Sequence, residues 1–100
     1  MTAHFIWEFT ARKDKTAEFE RWYAADGPWA ELFRRAPGFQ GTSLLRDGES
    51  PGRYVTIDRW DSAAAQREMR AKFSREYEAL DAACEELTES ERPIGVFEGE

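Results

Sequence analysis

Soft metal ligands and redox-active side chains are almost missing from this chain, which has one cysteine, Cys84, and one histidine, His4. A lone cysteine excludes an internal disulfide, and the two residues together are too few for a zinc or iron–sulfur site. No run approaches the ~18 apolar residues of a membrane span, and Met1-Thr2-Ala3-His4 lacks the basic region and apolar stretch of a secretory signal, so a cytoplasmic location is expected. Positive charge is also short. Fourteen Lys plus Arg face 20 Asp plus Glu, a net charge of −6, and an acidic surface repels phosphate backbones and anionic lipid alike. Neither nucleic acid nor a membrane is an expected partner. No glycine-rich phosphate loop is present, and no cofactor is implied.

Aliphatic residues are scarce as well: Leu, Ile, Val and Phe number 17 of 100, under the ~20% that borders on disorder when net charge is high. Four Trp and three Tyr raise the large apolar set to 24. An aromatic side chain buries ~150–250 Å², so a small aromatic-heavy core is feasible. The length fits one domain, residues 1–100. A chain this short buries only ~60–70% of its unfolded surface, and a partner subunit is a simple remedy. An oligomer is expected.

His4–Arg12 reads HFIWEFTAR, with Phe5, Trp7, Phe9 and Ala11 at one parity, the period of a strand. Between Asp14 and Asp26 the period changes: Phe19, Trp22 and Tyr23 share a helical face, with Asp14 or Thr16 as the cap and Gly27 as the stop. Pro28 then opens a shorter helix in which Trp29, Leu32, Phe33 and Ala36 form the stripe, ended by Pro37-Gly38. Phe39–Arg46 and Arg53–Trp60 are two strands joined as a hairpin by the turn formers of residues 47–52. From a cap at Asp61 or Ser62, one long helix carries Met69, Phe73, Tyr77, Leu80, Cys84 and Leu87 on its buried face. Pro93 introduces a last strand, Ile94–Glu98.

The resulting β-α-β-β-α-β order predicts an α+β fold of ferredoxin-like type with an antiparallel sheet. Apolar residues occur at both strand parities, Ile6 opposite Phe5, Trp7 and Phe9, and Val55 and Ile57 opposite Tyr54 and Trp60. One layer of helices covers one face only, so the natural cover for the other is the same face of a second copy.

Pro37-Gly38-Phe39 before the second strand, Arg53-Tyr54 opening the third, and Trp60-Asp61-Ser62 turning into the long helix arrive in an order that resembles the antibiotic biosynthesis monooxygenase-like family of dimeric α+β barrels. The resemblance spans nearly the whole chain. It implies a homodimer whose sheets close into a barrel, with a pocket in each subunit between sheet and helices. Some members oxidise polycyclic aromatic polyketides with molecular oxygen and no cofactor, others degrade haem, and many have no assigned activity. In the anthrone-oxidising members a Trp at the end of the third strand lines the pocket, which implies that role for Trp60. Their Asn four residues earlier and Tyr six residues later are Thr56 and Gln66 here. Both replacements remain polar, but neither keeps the specific chemistry. Haem-degrading members use a His on the last helix. Here the one histidine is His4, and only Tyr77 offers iron a ligand there, so haem turnover is not expected.

Tyr54, Thr56, Asp58 and Trp60 share a strand parity, and the resemblance makes that the pocket side. A carboxylate desolvated among aromatics has a raised pKa and suits removal of a phenolic or C–H proton, which nominates Asp58 as base beside Trp60. The competing reading is an Asp58 held in an ion pair by Arg53, Arg59 or another arginine. Glu8 carries the same ambiguity. His4 is a reserve base, although nothing near it in sequence would orient the ring. Trp22, Tyr23, Trp29 and Phe33 read either as an aromatic wall for a planar ligand or as plain helical core. Tyr77 needs a partner or a pocket opening for its hydroxyl. Cys84 reads as a small buried apolar residue. Trp60 and Asp58 are thus the catalytic candidates, and Tyr54, Thr56, Gln66, Tyr77 and Trp29 the substrate-binding ones. Two functions follow: a cofactor-independent monooxygenase acting on a hydrophobic polycyclic aromatic or phenolic molecule, or a non-catalytic binding or structural dimer.

Overall fold

A computed structural model describes every residue, Met1–Glu100. In chain order the elements are β1 (Thr2–Ala11), α1 (Thr16–Tyr23), α2 (Pro28–Arg34), β2 (Phe39–Arg46), β3 (Arg53–Trp60), α3 (Ala63–Lys72), α4 (Ser74–Cys84), a 3-10 turn (Glu85–Leu87) and β4 (Thr88–Gly99). The strands form one antiparallel sheet in the order β2-β3-β1-β4. This is the ferredoxin-like α+β arrangement that the element order predicts.

Strand alternation decides which residues meet the helices. Ala3, Phe9 and Ala11 of β1 are buried, with Phe5 and Trp7 packed beside them, while Tyr54, Thr56 and Trp60 are buried from β3. Directly paired residues point to the same side of a sheet, and Phe9 pairs with Tyr54, Trp7 with Thr56, Phe5 with Asp58 and Ala3 with Trp60. All four nominated β3 residues therefore share the helix-covered face. Against it lie Phe19 and Tyr23 of α1, Trp29, Leu32 and Phe33 of α2, Met69 of α3, and Cys84 of α4. The other face carries Ile6, Val55, Ile57 and Leu45, and no element of the chain covers it.

Four local expectations change. Helix α1 ends at Tyr23 rather than near Gly27, and its cap position is Lys15, with no capping hydrogen bond from Asp14 or Thr16. The long second helix is two segments. Phe73, at φ −110° and ψ 34°, leaves helical geometry between α3 and α4. Its N–H still donates to the Met69 carbonyl and its carbonyl accepts from the Tyr77 N–H. The i, i+4 spacing persists on both sides, so the buried stripe is kept and sequence periodicity is blind to the joint. Leu87 belongs to the 3-10 turn, not to the helix. Finally, β4 begins at Thr88, six residues before Ile94, and contains Pro93. Proline is tolerated there because β4 is an edge strand. Trp7 pairs with Pro93 and Ile6 with Gly95, leaving Ile94 as the extra residue of a bulge.

The α3 entry is fixed by two residues. Ser62 Oγ accepts from the Ala65 N–H at 3.1 Å, as its cap role requires. Gly38 adopts φ 94°, its carbonyl accepts from the Asp61 N–H, and a Cβ there would sit 2.9 Å from the Ala65 Cβ. The turn before β2 thereby packs directly on the start of α3.

Candidate substrate cleft

Between the covered face of the sheet and helices α1, α2 and α4 lies a cleft of about 520 Å³, its open mouth included, with about 70 Å³ of room for the centres of water-sized molecules. Its walls are mostly aromatic. Trp7 and Phe9 come from β1, Tyr23 from α1, Trp29 and Phe33 from α2, and Tyr77 from α4. The polar lining is Thr42 from β2, Thr56 and Asp58 from β3, Asp81 from α4 and Glu91 from β4. Ligand sites typically show this composition, mainly apolar with a few placed polar groups.

Asp58 is the chemically distinctive residue. The β2–β3 register sets Thr42 opposite it, and the Thr42 hydroxyl donates to Asp58 Oδ1 at 2.7 Å. No cation pairs with it. Arg53, one of the arginines the sequence offered, is held by Glu8 and Asp47. Arg59 donates to Ser43 Oγ at 3.0 Å. Both belong to the parity of β3 that faces away from the helices, so alternation separates them from Asp58. Burial therefore pushes the Asp58 carboxyl up to about 6, against the pull of the Thr42 hydrogen bond and the Arg59 charge. A carboxyl poised there is ionised at neutral pH yet basic enough to accept a proton.

Trp29 supplies a second unusual group. Its ring is packed edge-on against Tyr77 at 4.9 Å and is 8% exposed, yet its Nε1–H has no hydrogen-bond acceptor. Buried donors are nearly always satisfied, and this one is shut off from solvent beside the Tyr23 hydroxyl and the Cys84 thiol. Burial raises the hydroxyl pKa of Tyr23 and of Tyr77, and both stay protonated donors at neutral pH. The Cys84 thiol is buried and likewise pushed up, which leaves it unreactive.

Thr56, Asp58, Trp29 and Tyr77 are brought together in the cleft. Trp60, Tyr54 and Gln66 are not among its lining residues. Trp60 is 1% exposed and packs against Phe33 and Phe39 with ring centroids 5.6 and 5.1 Å away. Tyr54 stacks near Phe19 and donates to Glu20 Oε2, and burial with that carboxylate pushes its hydroxyl up to about 12. Gln66 lies on α3. Tyr23 and Phe33 serve as core and cleft wall at once, whereas Trp22 only packs against the core. Glu8 is a structural ion-pair residue, accepting from Arg53 and Arg92, which hold its carboxyl below the usual range. His4 pairs with Arg59 and Phe97 at the parity facing away from the helices. Three lining residues escaped the sequence reading altogether: Thr42, Asp81 and Glu91. Hairpin register alone would have placed Thr42 opposite Asp58. No cluster of three His, Cys, Asp or Glu side chains is arranged to hold a metal ion, and no helix is long and apolar enough to cross a membrane.

Comparison with known proteins places this geometry in context. Residues 3–72, which run from within β1 to the end of α3, match the family model for antibiotic biosynthesis monooxygenase. The chain belongs to the antibiotic biosynthesis monooxygenase family. Comparison with curated proteins finds no significant match. Among solved structures, SnoaB, a cofactor-independent oxygenase from Streptomyces nogalater, is 31% identical over 99% of this chain and 93% of that one, with a TM-score of 0.74. A proposed antibiotic biosynthesis monooxygenase from Nitrosomonas europaea is 17% identical over 98% of this chain and 89% of its own, with a TM-score of 0.77. Rv0793 from Mycobacterium tuberculosis is 22% identical, covering 97% and 91%, at a TM-score of 0.66. These last two share the fold. Of the three positions singled out by the family resemblance, Thr56 alone faces the cleft.

Proposed function

We propose that the protein is a monooxygenase-like enzyme, its 100 residues acting as one domain, that binds a polycyclic aromatic or phenolic molecule in the cleft and lets it react with molecular oxygen without a cofactor. The observation that carries this is Asp58, a half-buried carboxylate with no paired cation, opening into an aromatic cleft. Similarity to SnoaB supports the same reaction class.

With an anthrone-like substrate, Asp58 takes a proton from the reactive ring carbon. The negative charge moves from carboxylate to substrate, so the total charge of the cleft is unchanged and only its location shifts. The substrate oxygen that receives this charge accepts from the Trp29 Nε1–H once the indole turns toward the cleft, because that donor has no acceptor but is closed off from solvent. The electron-rich carbon reduces oxygen and forms a C–O bond as a hydroperoxide. Loss of the second proton and cleavage of the O–O bond give the quinone and water, so one substrate and one O2 become one quinone and one H2O. The aromatic walls exclude water while this happens.

The working form is a homodimer in the cytoplasm. Support for the dimer comes from the bare sheet face, where Ile6, Val55 and Ile57 sit beside Leu45 and Phe97, the last two 51% and 52% exposed.

Oxygen uptake with anthrone tests the enzyme reading. Asp58→Asn is expected to lower kcat by ~10²-fold or more, as loss of a general base does. Uptake by the unaltered protein no faster than the buffer rate would refute it. The rival reading, a non-catalytic binding protein, is favoured by the placement of Trp60 and Gln66 outside the cleft lining, and it predicts anthrone binding without oxygen uptake.

A further inference from the structure

A carboxylate base works best when one oxygen is held in place and the other stays open to the substrate. Asp58 has that arrangement. The hydroxyl of Thr42, a buried residue, donates to Oδ1 at 2.7 Å, the length of a charge-assisted hydroxyl–carboxylate bond. Oδ2 has no hydrogen-bond partner in the chain. Trp29 Nε1 is the one unpartnered polar side-chain atom sealed from solvent, so Oδ2 is not sealed, and the cleft is the space that Asp58 and Thr42 both line.

Strand β2 departs from regular pairing to make this contact. Phe39 pairs with Trp60 and Gly41 with Arg59, which leaves Gln40 as the extra residue of a bulge. In an unbroken ladder from the Phe39–Trp60 pair, Gly41 would stand opposite Asp58, and Thr42 would turn to the uncovered face. The bulge shifts the register by one, so Phe39 and Thr42 both meet the covered side despite their odd spacing. Two features secure it. Gly41 adopts φ 142°, a conformation that residues with a side chain rarely take. The Gln40 amide is tied at both ends, its nitrogen donating to Asp61 Oδ1 at 2.7 Å and its oxygen accepting from Thr2 Oγ1 at 3.2 Å. Bulges beside active sites commonly re-aim a side chain, and the group re-aimed here is the hydroxyl on Asp58.

Taking Asp58 as the base proposed above, we infer that Thr42 is its positioning residue: the hydroxyl, delivered by the Gln40 bulge, holds the carboxylate through Oδ1 and leaves Oδ2 to take the substrate proton. The same bond favours the charged carboxylate and so works against its desolvation. The other charged or titratable groups around Asp58 are Arg59 on its own strand, whose charge pulls the same way, Tyr23 from α1, Tyr77 and Asp81 from α4, and Glu91 from β4. From α3, the Arg70 guanidinium stacks 4.0 Å from the Tyr77 ring centre. Strand β1 sets the apolar Phe5 opposite. None of these gives the carboxylate a hydrogen bond, and all are kept when Thr42 alone is changed.

Thr42→Val removes the hydroxyl at nearly constant shape, and Thr42→Ser keeps it. Each variant is followed by NMR titration of the Asp58 carboxyl carbon and by the pH profile of oxygen uptake with anthrone. In Thr42→Val the carboxyl titration and the rising limb of kcat are expected to move up together by ~1 pH unit, the effect of one lost bond to a charged group. Turnover at pH 6 then falls ~5-fold while KM stays within ~2-fold, because the ionised fraction drops and the walls of the cleft are untouched. Thr42→Ser is expected to restore both profiles. Thr42→Ala gives the same comparison should the valine variant not fold. A titration that stays in place without the hydroxyl would overturn the assignment. So would a shift that Thr42→Ser shares, since that marks packing rather than the hydrogen bond. A titration that moves while the unaltered protein takes up no oxygen above the buffer rate would overturn the enzyme reading and the role in turnover, and leave only the hold on the carboxylate.

Discussion

Asp58 carries a cost that can be read as pH dependence. Its carboxyl is raised by burial from 3.8 to about 6, so between those values the folded chain binds more proton than the unfolded one. Stability therefore falls as pH rises through that window and stays lowered above it. Asp58→Asn keeps an oxygen for the Thr42 hydroxyl and removes the charge. The variant is expected to be more stable than the unaltered protein by about 1–2 kcal/mol at pH 8 and little changed at pH 4, measured by urea unfolding. The same titration predicts turnover that climbs with pH through about 6 and then levels, because the base must be ionised. At this scale the sequence was informative where alternation or helical spacing did the work. Parity put Thr56 and Asp58 on the covered face, and the helical stripes carried Trp29 and Tyr77 inward. It could not show that Trp60, at the same parity, would be enclosed by Phe33 and Phe39, because those contacts join three separate elements.

The elements were legible in proportion to how local their signals are. Both hairpin strands have the bounds read from their residues, Phe39–Arg46 and Arg53–Trp60, since turn formers flank them on both sides. Strand β4 was not, because Thr88–Arg92 (TESER) has little strand preference of its own and pairs only because the long β1 lies alongside. That error hid Glu91, whose place in the cleft depends on its pairing with Phe9. The turn at Pro37-Gly38 is a tightly constrained junction. Substituting Ala for Gly38 would force a side chain into φ 94° and against Ala65, and a loss of about 1–2 kcal/mol or more is expected from the urea midpoint. Because this turn packs on the start of α3 rather than on the cleft, ligand affinity of the folded variant should stay within ~2-fold of the unaltered protein's, about 0.4 kcal/mol.

For the whole molecule, apolar residues at both strand parities implied two covered faces, and the chain supplies one cover. The bare face is not uniformly greasy. Glu8 bridges Arg53 and Arg92 across three strands there, and Arg53 also reaches Asp47 at 3.0 Å. Such a face, apolar between fixed ion pairs, is suited to a specific partner more than to nonspecific adhesion. Ile57→Arg places a charge between Ile6 and Ser43 at its middle. Sedimentation is expected to show a dimer for the unaltered protein and a monomer with intact circular dichroism for the variant; a monomer in both cases would remove the proposed dimer. One pairing also bears on how the chain comes into being. Thr2 stands across the ladder from Gly99, so β1 waits beside an empty edge during translation until the segment carrying Glu91 leaves the ribosome. Loop closure over such a span is slow, and a nascent chain stalled before residue 88 would present the unpaired edge of β1, a natural target for chaperones.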